Sequence, residues 1–141
     1  MTESAGCTVL TADEGRPVNC FRRELPGELS AVGVARRWVD GYCVSSLSED
    51  KRQVLELLTS EVVANAVLHG RGAVTLALGC TPGEVVVAVS DTSPQPPTVK
   101  AVDLDATGGR GVALVDALSQ GWGWAPRPPG KWVWFRITEE R

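Results

Sequence analysis

Histidine occurs once in this chain of 141 residues, and its four cysteines, Cys7, Cys20, Cys43 and Cys80, include no Cys-x-x-Cys pair. A zinc site draws its ligands from closely spaced Cys and His, so none is expected. Lys and Arg form no stripe either. Arg22-Arg23 and Arg36-Arg37 are isolated pairs, and the formal net charge is −3. A nucleic-acid footprint is therefore excluded, and the pairs read as solvated surface or as contacts to an acidic partner. No apolar run reaches membrane-spanning length, and the small, polar start at 1–6 lacks the layout of an export signal. A cytoplasmic protein with reduced cysteines is expected. Internal repeats, low-complexity tracts, a Walker A run and a strand–glycine–helix dinucleotide fingerprint are all missing. What remains, with 43% hydrophobic and 22% charged residues, is globular material for a single domain over 1–141.

The most informative stretch is 57–70, Leu-Leu-Thr-Ser-Glu-Val-Val-Ala-Asn-Ala-Val-Leu-His-Gly. At helical spacing Val54, Leu58, Glu61, Asn65 and Leu68 share a stripe, and Leu57, Val62, Ala64, Ala66 and Val67 surround it. Such a helix is expected to be largely buried. Two polar groups one turn apart inside it, Glu61 and Asn65, need compensation, because an uncompensated buried polar group is costly. Two readings stand at this point: a core pair bonded to neighbouring backbone, or a carboxylate and an amide facing a ligand-filled cleft.

The remaining elements follow from periodicity and breakers. Segments 7–11 and 18–25 are strand candidates, with 1–17 either disordered or a weak strand. A helix runs from Leu29 to a stop at Gly41-Tyr42-Cys43. Ser46 and Ser48 are both N-cap candidates for the next helix, which ends at His69 with Gly70 as a left-handed stop. Strands 73–79 and 84–90 form a hairpin around Thr81-Pro82-Gly83. Val74, Leu76 and Leu78 share a face, as do Val85, Val87 and Val89. A proline-rich exit after Asp91 leads to an irregular segment at 98–107. Gly108-Gly109-Arg110-Gly111 then opens a helix, where free amides at the start suit an anion. Strands 120–125 and 131–138 flank the turn 126–130. Trp122, Trp124, Trp132 and Trp134 are all expected on the helix-free sheet face, first as cross-strand cover and second as a homodimer or partner surface. This order predicts an α/β (α+β) two-layer sandwich: a mixed, mainly antiparallel sheet with about three helices on one face.

Glu61-x-x-x-Asn65-Ala66, Asp91 at a strand end and the later glycine turn together resemble the GHKL superfamily. Its members have the Bergerat, histidine-kinase-like ATP-binding fold. The resemblance covers about 29–138 and is nearest to stand-alone bacterial anti-sigma-factor serine/threonine kinases. It implies ATP and Mg²⁺ as cofactors, with Glu61 as general base for the attacking hydroxyl and Asn65 as the Mg²⁺ ligand. It further implies Asp91 as the acceptor for adenine, Gly108, Gly109, Arg110 and Gly111 on the triphosphate, and 98–107 as the lid. Gly130-Lys131-x-Val133 would be the last glycine box, bordering the nucleotide pocket; Lys131, opening the last strand, reads either as a solvated lysine or as a group in reach of phosphate. Ser93 stands where the family's Asp-x-Gly has glycine, so here the turn reads Asp91-Thr92-Ser93. The partners implied are a sigma factor and an anti-anti-sigma (STAS-domain) protein that carries the acceptor serine. A non-catalytic nucleotide-binding module acting by sequestration is the rival reading. Sensor histidine kinases and gyrase- or chaperone-type members carry further domains that a chain of this length is not expected to hold.

Overall fold

A computed structural model describes residues 19–43, 47–70, 72–81, 83–93 and 110–139. The early strand candidate at 7–11, the Ser46 cap, the lid at 98–107, Gly108 and Gly109 lie outside those residues.

The described elements are β1 (Asn19–Leu25), α1 (Ala31–Cys43), α2 (Glu49–His69), β2 (Val74–Thr81), β3 (Glu84–Asp91), α3 (Arg110–Leu118), β4 (Gly121–Arg127) and β5 (Gly130–Thr138). The five strands form one sheet in the order β1-β2-β3-β5-β4, and every pairing is antiparallel. The alternation in the strands decides which residues meet the helices. Val74, Leu76 and Leu78 pack with Val85, Val87, Val89, Val133, Phe135 and Ile137 against Ala35 and Val39 of α1, Leu55, Leu58, Val63 and Ala66 of α2, and Val115 of α3. This is the expected two-layer α/β arrangement, and all four long β-ladders run antiparallel rather than mixed.

Both helices end where expected, with two differences in detail. Helix α1 continues through Gly41 to Cys43. Tertiary packing outweighs the glycine: Tyr42 stacks on Phe21 at 4.5 Å between ring centroids and meets Trp38 edge-on at 5.2 Å. Helix α2 starts after Ser48, whose hydroxyl accepts from the Lys51 amide at 3.3 Å, with Glu49 and Asp50 in the positive first turn. It stops at Gly70, but with φ −96° and not in the left-handed region. Glycine is required there for space: a Cβ would stand 2.8 Å from the Ala66 carbonyl and 3.2 Å from the Asp91 side chain.

Helix α2 is also less covered than its composition suggests. Leu55, Leu58, Thr59, Val62, Val63 and Ala66 are buried, while Leu57 and Leu68 are 41% and 58% exposed. Glu61 and Asn65 lie between these faces and are half-buried. A helix on the surface of a two-layer sandwich has only one side to bury, whatever its other sides carry.

The tryptophans correct a second expectation. Strand β4 extends to Arg127 and β5 begins at Gly130, so the turn between them holds two residues, not five. A two-residue turn pairs odd with even positions. Trp122 therefore faces Phe135 and Trp124 faces Val133 on the helical side, while Trp132 and Trp134 lie across from Ala125 and Gly123 on the other. Only Trp132 and Trp134 join the helix-free face, over Ala77, Val86 and Ala88. Arg22 and Arg127 lie 5.4 and 4.7 Å from the Trp132 ring centroid, so part of the Arg22-Arg23 pair covers the sheet instead of only solvating it. Pro126 is tolerated in β4 because this strand is an edge.

Candidate functional site

A cleft of about 360 Å³ opens between α2, α3 and the ends of β3, β4 and β5. Its lining is Glu61, Val62, Asn65 and Ala66 of α2, Val89 and Asp91 of β3, Val115 of α3, Trp122 of β4 and Val133 of β5. The spacing of Glu61 and Asn65 places both on the α2 face that meets this opening, and Ala66 beside them keeps the wall low. Both side chains line the opening, the position that the cleft reading requires. The mixture of apolar walls with a few convergent polar groups is that of a small-molecule site.

Asp91 reaches the cleft because β3 alternates: it shares the helical face with Val85, Val87 and Val89. It is buried, 8% exposed, and Lys131 directly across the ladder is 5% exposed. The Lys131 ammonium donates to both Asp91 oxygens at 3.1 Å and to the Ser93 carbonyl at 3.2 Å. The Ser93 amide donates to Asp91 Oδ1 at 2.9 Å, which closes an Asx-type turn at the strand exit. These contacts engage all three Lys131 protons, so its expected reach to phosphate does not match this geometry. On Asp91 the same bonds fill Oδ1 and leave acceptor capacity on Oδ2 for one more donor. Ser93 serves here through its backbone: its amide and carbonyl hold the Asp91–Lys131 pair.

Two glycines fix this pair from either side. A Cβ on Gly130 would fall 1.8 Å from the Asp91 carbonyl oxygen and 2.7 Å from Thr92 Cα. Gly70 at the end of α2 makes the corresponding close approach to Asp91 and Thr92. The Asp91 turn is thereby held against both the last strand and the helix that carries Glu61 and Asn65.

The glycine box is described only in part. Helix α3 does begin at Arg110, with Gly111 in its first turn. His69 sits exposed in the last turn of α2 and is not part of the cleft lining. Among the described residues no group of three or more His, Cys, Asp or Glu is placed to hold a metal ion. Cys80 is in no disulfide among the described residues. The residue that sequence reasoning missed is Trp122. Its indole Nε1 donates to Asp116 Oδ1 of α3 at 2.8 Å while the ring lines the cleft. The length of the last turn, read through the parity of the pairing, was the signal that would have found it.

An α2 face carrying Glu61 and Asn65, a strand-end aspartate across the cleft and a following helix on its rim form one site. The model of the histidine kinase-like ATPase domain matches residues 25–137. The chain belongs to that family. No curated protein matches the chain. Membership makes this a kinase-like ATPase domain, with ATP the cofactor it implies, and β1 through β5 with the three helices are the corresponding fold. No helix among the described residues is long and apolar enough to cross a membrane.

Proposed function

We propose that this domain is an anti-sigma-type serine/threonine protein kinase. It would use ATP and Mg²⁺ to phosphorylate a STAS-domain anti-anti-sigma partner in a bacterial cytoplasm and so regulate a sigma factor. The observation that carries this reading is the convergence of Glu61, Asn65 and Asp91, from a helix and a distant strand end, on one cleft.

Each residue has a chemical task in that reaction. Asp91 Oδ2 accepts a hydrogen bond from the exocyclic amine of adenine, with Lys131 balancing the buried carboxylate charge. Asn65 offers an amide oxygen to Mg²⁺, which binds few protein oxygens and neutralises phosphate charge when present. Glu61 takes the proton of the partner's serine hydroxyl. The hydroxyl oxygen bonds to the γ-phosphorus while the bond from that phosphorus to the β,γ-bridging oxygen breaks, leaving ADP. The sequence box Gly109-Arg110-Gly111 is assigned to the phosphates; α3 begins at Arg110, and helix-start amides favour anions.

A second reading is favoured by Ser93 in place of glycine and by the Lys131 contacts that already occupy Asp91: a nucleotide-binding module that sequesters a regulatory protein without catalysis. Incubation with γ-labelled ATP, Mg²⁺ and candidate STAS proteins separates the two. Label on a partner serine, lost in Glu61→Ala, supports the kinase. Tight ATP binding without transfer to any candidate supports the second reading and rejects the first.

A further inference from the structure

We infer that Trp122 is the wall against which the base of the bound nucleotide packs, held in position by Asp116. This rests on the nucleotide reading above and adds a contact to it. Trp122 enters the cleft because its strand pairs it with Phe135 on the helical face. The indole lines the opening together with Val62, Ala66, Val89, Val115 and Val133, and Asp91 adds the one buried carboxylate. A flat heterocycle with an amino group at its edge matches such an apolar slot: its ring meets the indole and aliphatic side chains, and its amine meets Asp91 Oδ2.

The indole nitrogen is the only polar donor of the side chain, and it is engaged by Asp116 at 2.8 Å. Contact with a ligand is therefore through ring carbon. The same bond holds the ring before the ligand arrives, which lowers the ordering cost of binding. Asp116 lies in α3, so the helix assigned to the phosphates also holds the wall assigned to the base.

Calorimetric titration with ADP compares the parent protein with Trp122→Ala and Trp122→Phe. Loss of an aromatic platform is expected to weaken ADP about tenfold or more in Trp122→Ala, and less than about threefold in Trp122→Phe, which keeps a ring. Fluorine NMR of the parent labelled with fluorotryptophan gives a second readout that needs no folded alanine variant. The Trp122 resonance, assigned by its loss in Trp122→Phe, is expected to shift at saturating ADP while that of Trp134 on the opposite face stays. An unmoved Trp122 resonance at saturation, or parent affinity in a folded Trp122→Ala, overturns the inference and leaves the nucleotide site standing. Absence of ADP binding to the parent overturns both.

Discussion

Lys131 stands directly opposite Asp91 across the β3–β5 ladder, its ammonium 3.1 Å from each carboxylate oxygen and both side chains buried. A carboxylate in that position depends on its counter-ion. Replacing Lys131 with Met leaves the charge uncompensated, and breaking one side of a buried pair costs about 3–5 kcal/mol. Urea denaturation of Lys131→Met should show that loss, and Asp91→Asn in the same background should restore part of it. A loss below about 1 kcal/mol would mean that the pair is solvent-screened like a surface ion pair.

Gly130 leaves no room for a side chain beside Asp91. With a Cβ 1.8 Å from a backbone oxygen, neither strand can accommodate alanine without moving. Gly130→Ala is expected to unfold the last hairpin or displace the Asp91 turn, seen as lost amide protection in β3 and β5 by hydrogen exchange. Gly72→Ala is the control: nothing lies within 4 Å of its Cβ, and its positive φ of 89° is the only strain. Its cost should stay on the order of 1–2 kcal/mol, with exchange in β3 and β5 unchanged.

Asn65 should link metal to nucleotide. In the parent, Mg²⁺ is expected to strengthen ATP binding, and Asn65→Ala should reduce that gain about tenfold, the scale of one charge-assisted contact. Calorimetry with and without Mg²⁺ measures the difference directly. An equal gain in both proteins removes Asn65 from the metal.

Glu56 gives the fold a pH dependence of known sign. Its carboxyl is pushed above its ordinary value of 4.5, first by desolvation, then by a hydrogen bond with Asp40 and by that residue's charge, with Arg52 and Arg36 opposing. The folded chain therefore holds this proton more tightly than the unfolded chain. The associated stability is present below 4.5 and is lost as pH rises through the folded value. Glu56→Gln should flatten this part of the melting-temperature profile, gaining on the parent as pH rises from 4.5 towards neutral. Parallel profiles would exclude Glu56 as its source.

Thr59 carries an avoidable cost in the core. It is fully buried on α2, and its hydroxyl has no hydrogen-bond partner among the described residues. Valine has nearly the same shape without the polar atom. Thr59→Val should raise stability by about 1 kcal/mol, with the denaturant slope unchanged. A loss of stability would show that the hydroxyl is satisfied in solution.

Local spacing determined much of this molecule. Period-3.6 patterning located α2 and put Glu61 beside Asn65, and strand alternation separated the Val85, Val87 and Val89 face from its opposite. Asp91 was legible as the residue ending a buried strand. Each of these features depends on residues only a few positions apart, so the chain itself carries the geometry. Other features required the tertiary structure. Whether Trp122 faces helices or open sheet turned on a hairpin two residues long instead of five, a difference that reverses the parity of every later pair. Lys131 met Asp91, and Gly70 and Gly130 closed on it, because β3 lies beside β5 and the end of α2. Such contacts join positions distant along the chain, where burial and register, rather than local propensity, decide the outcome.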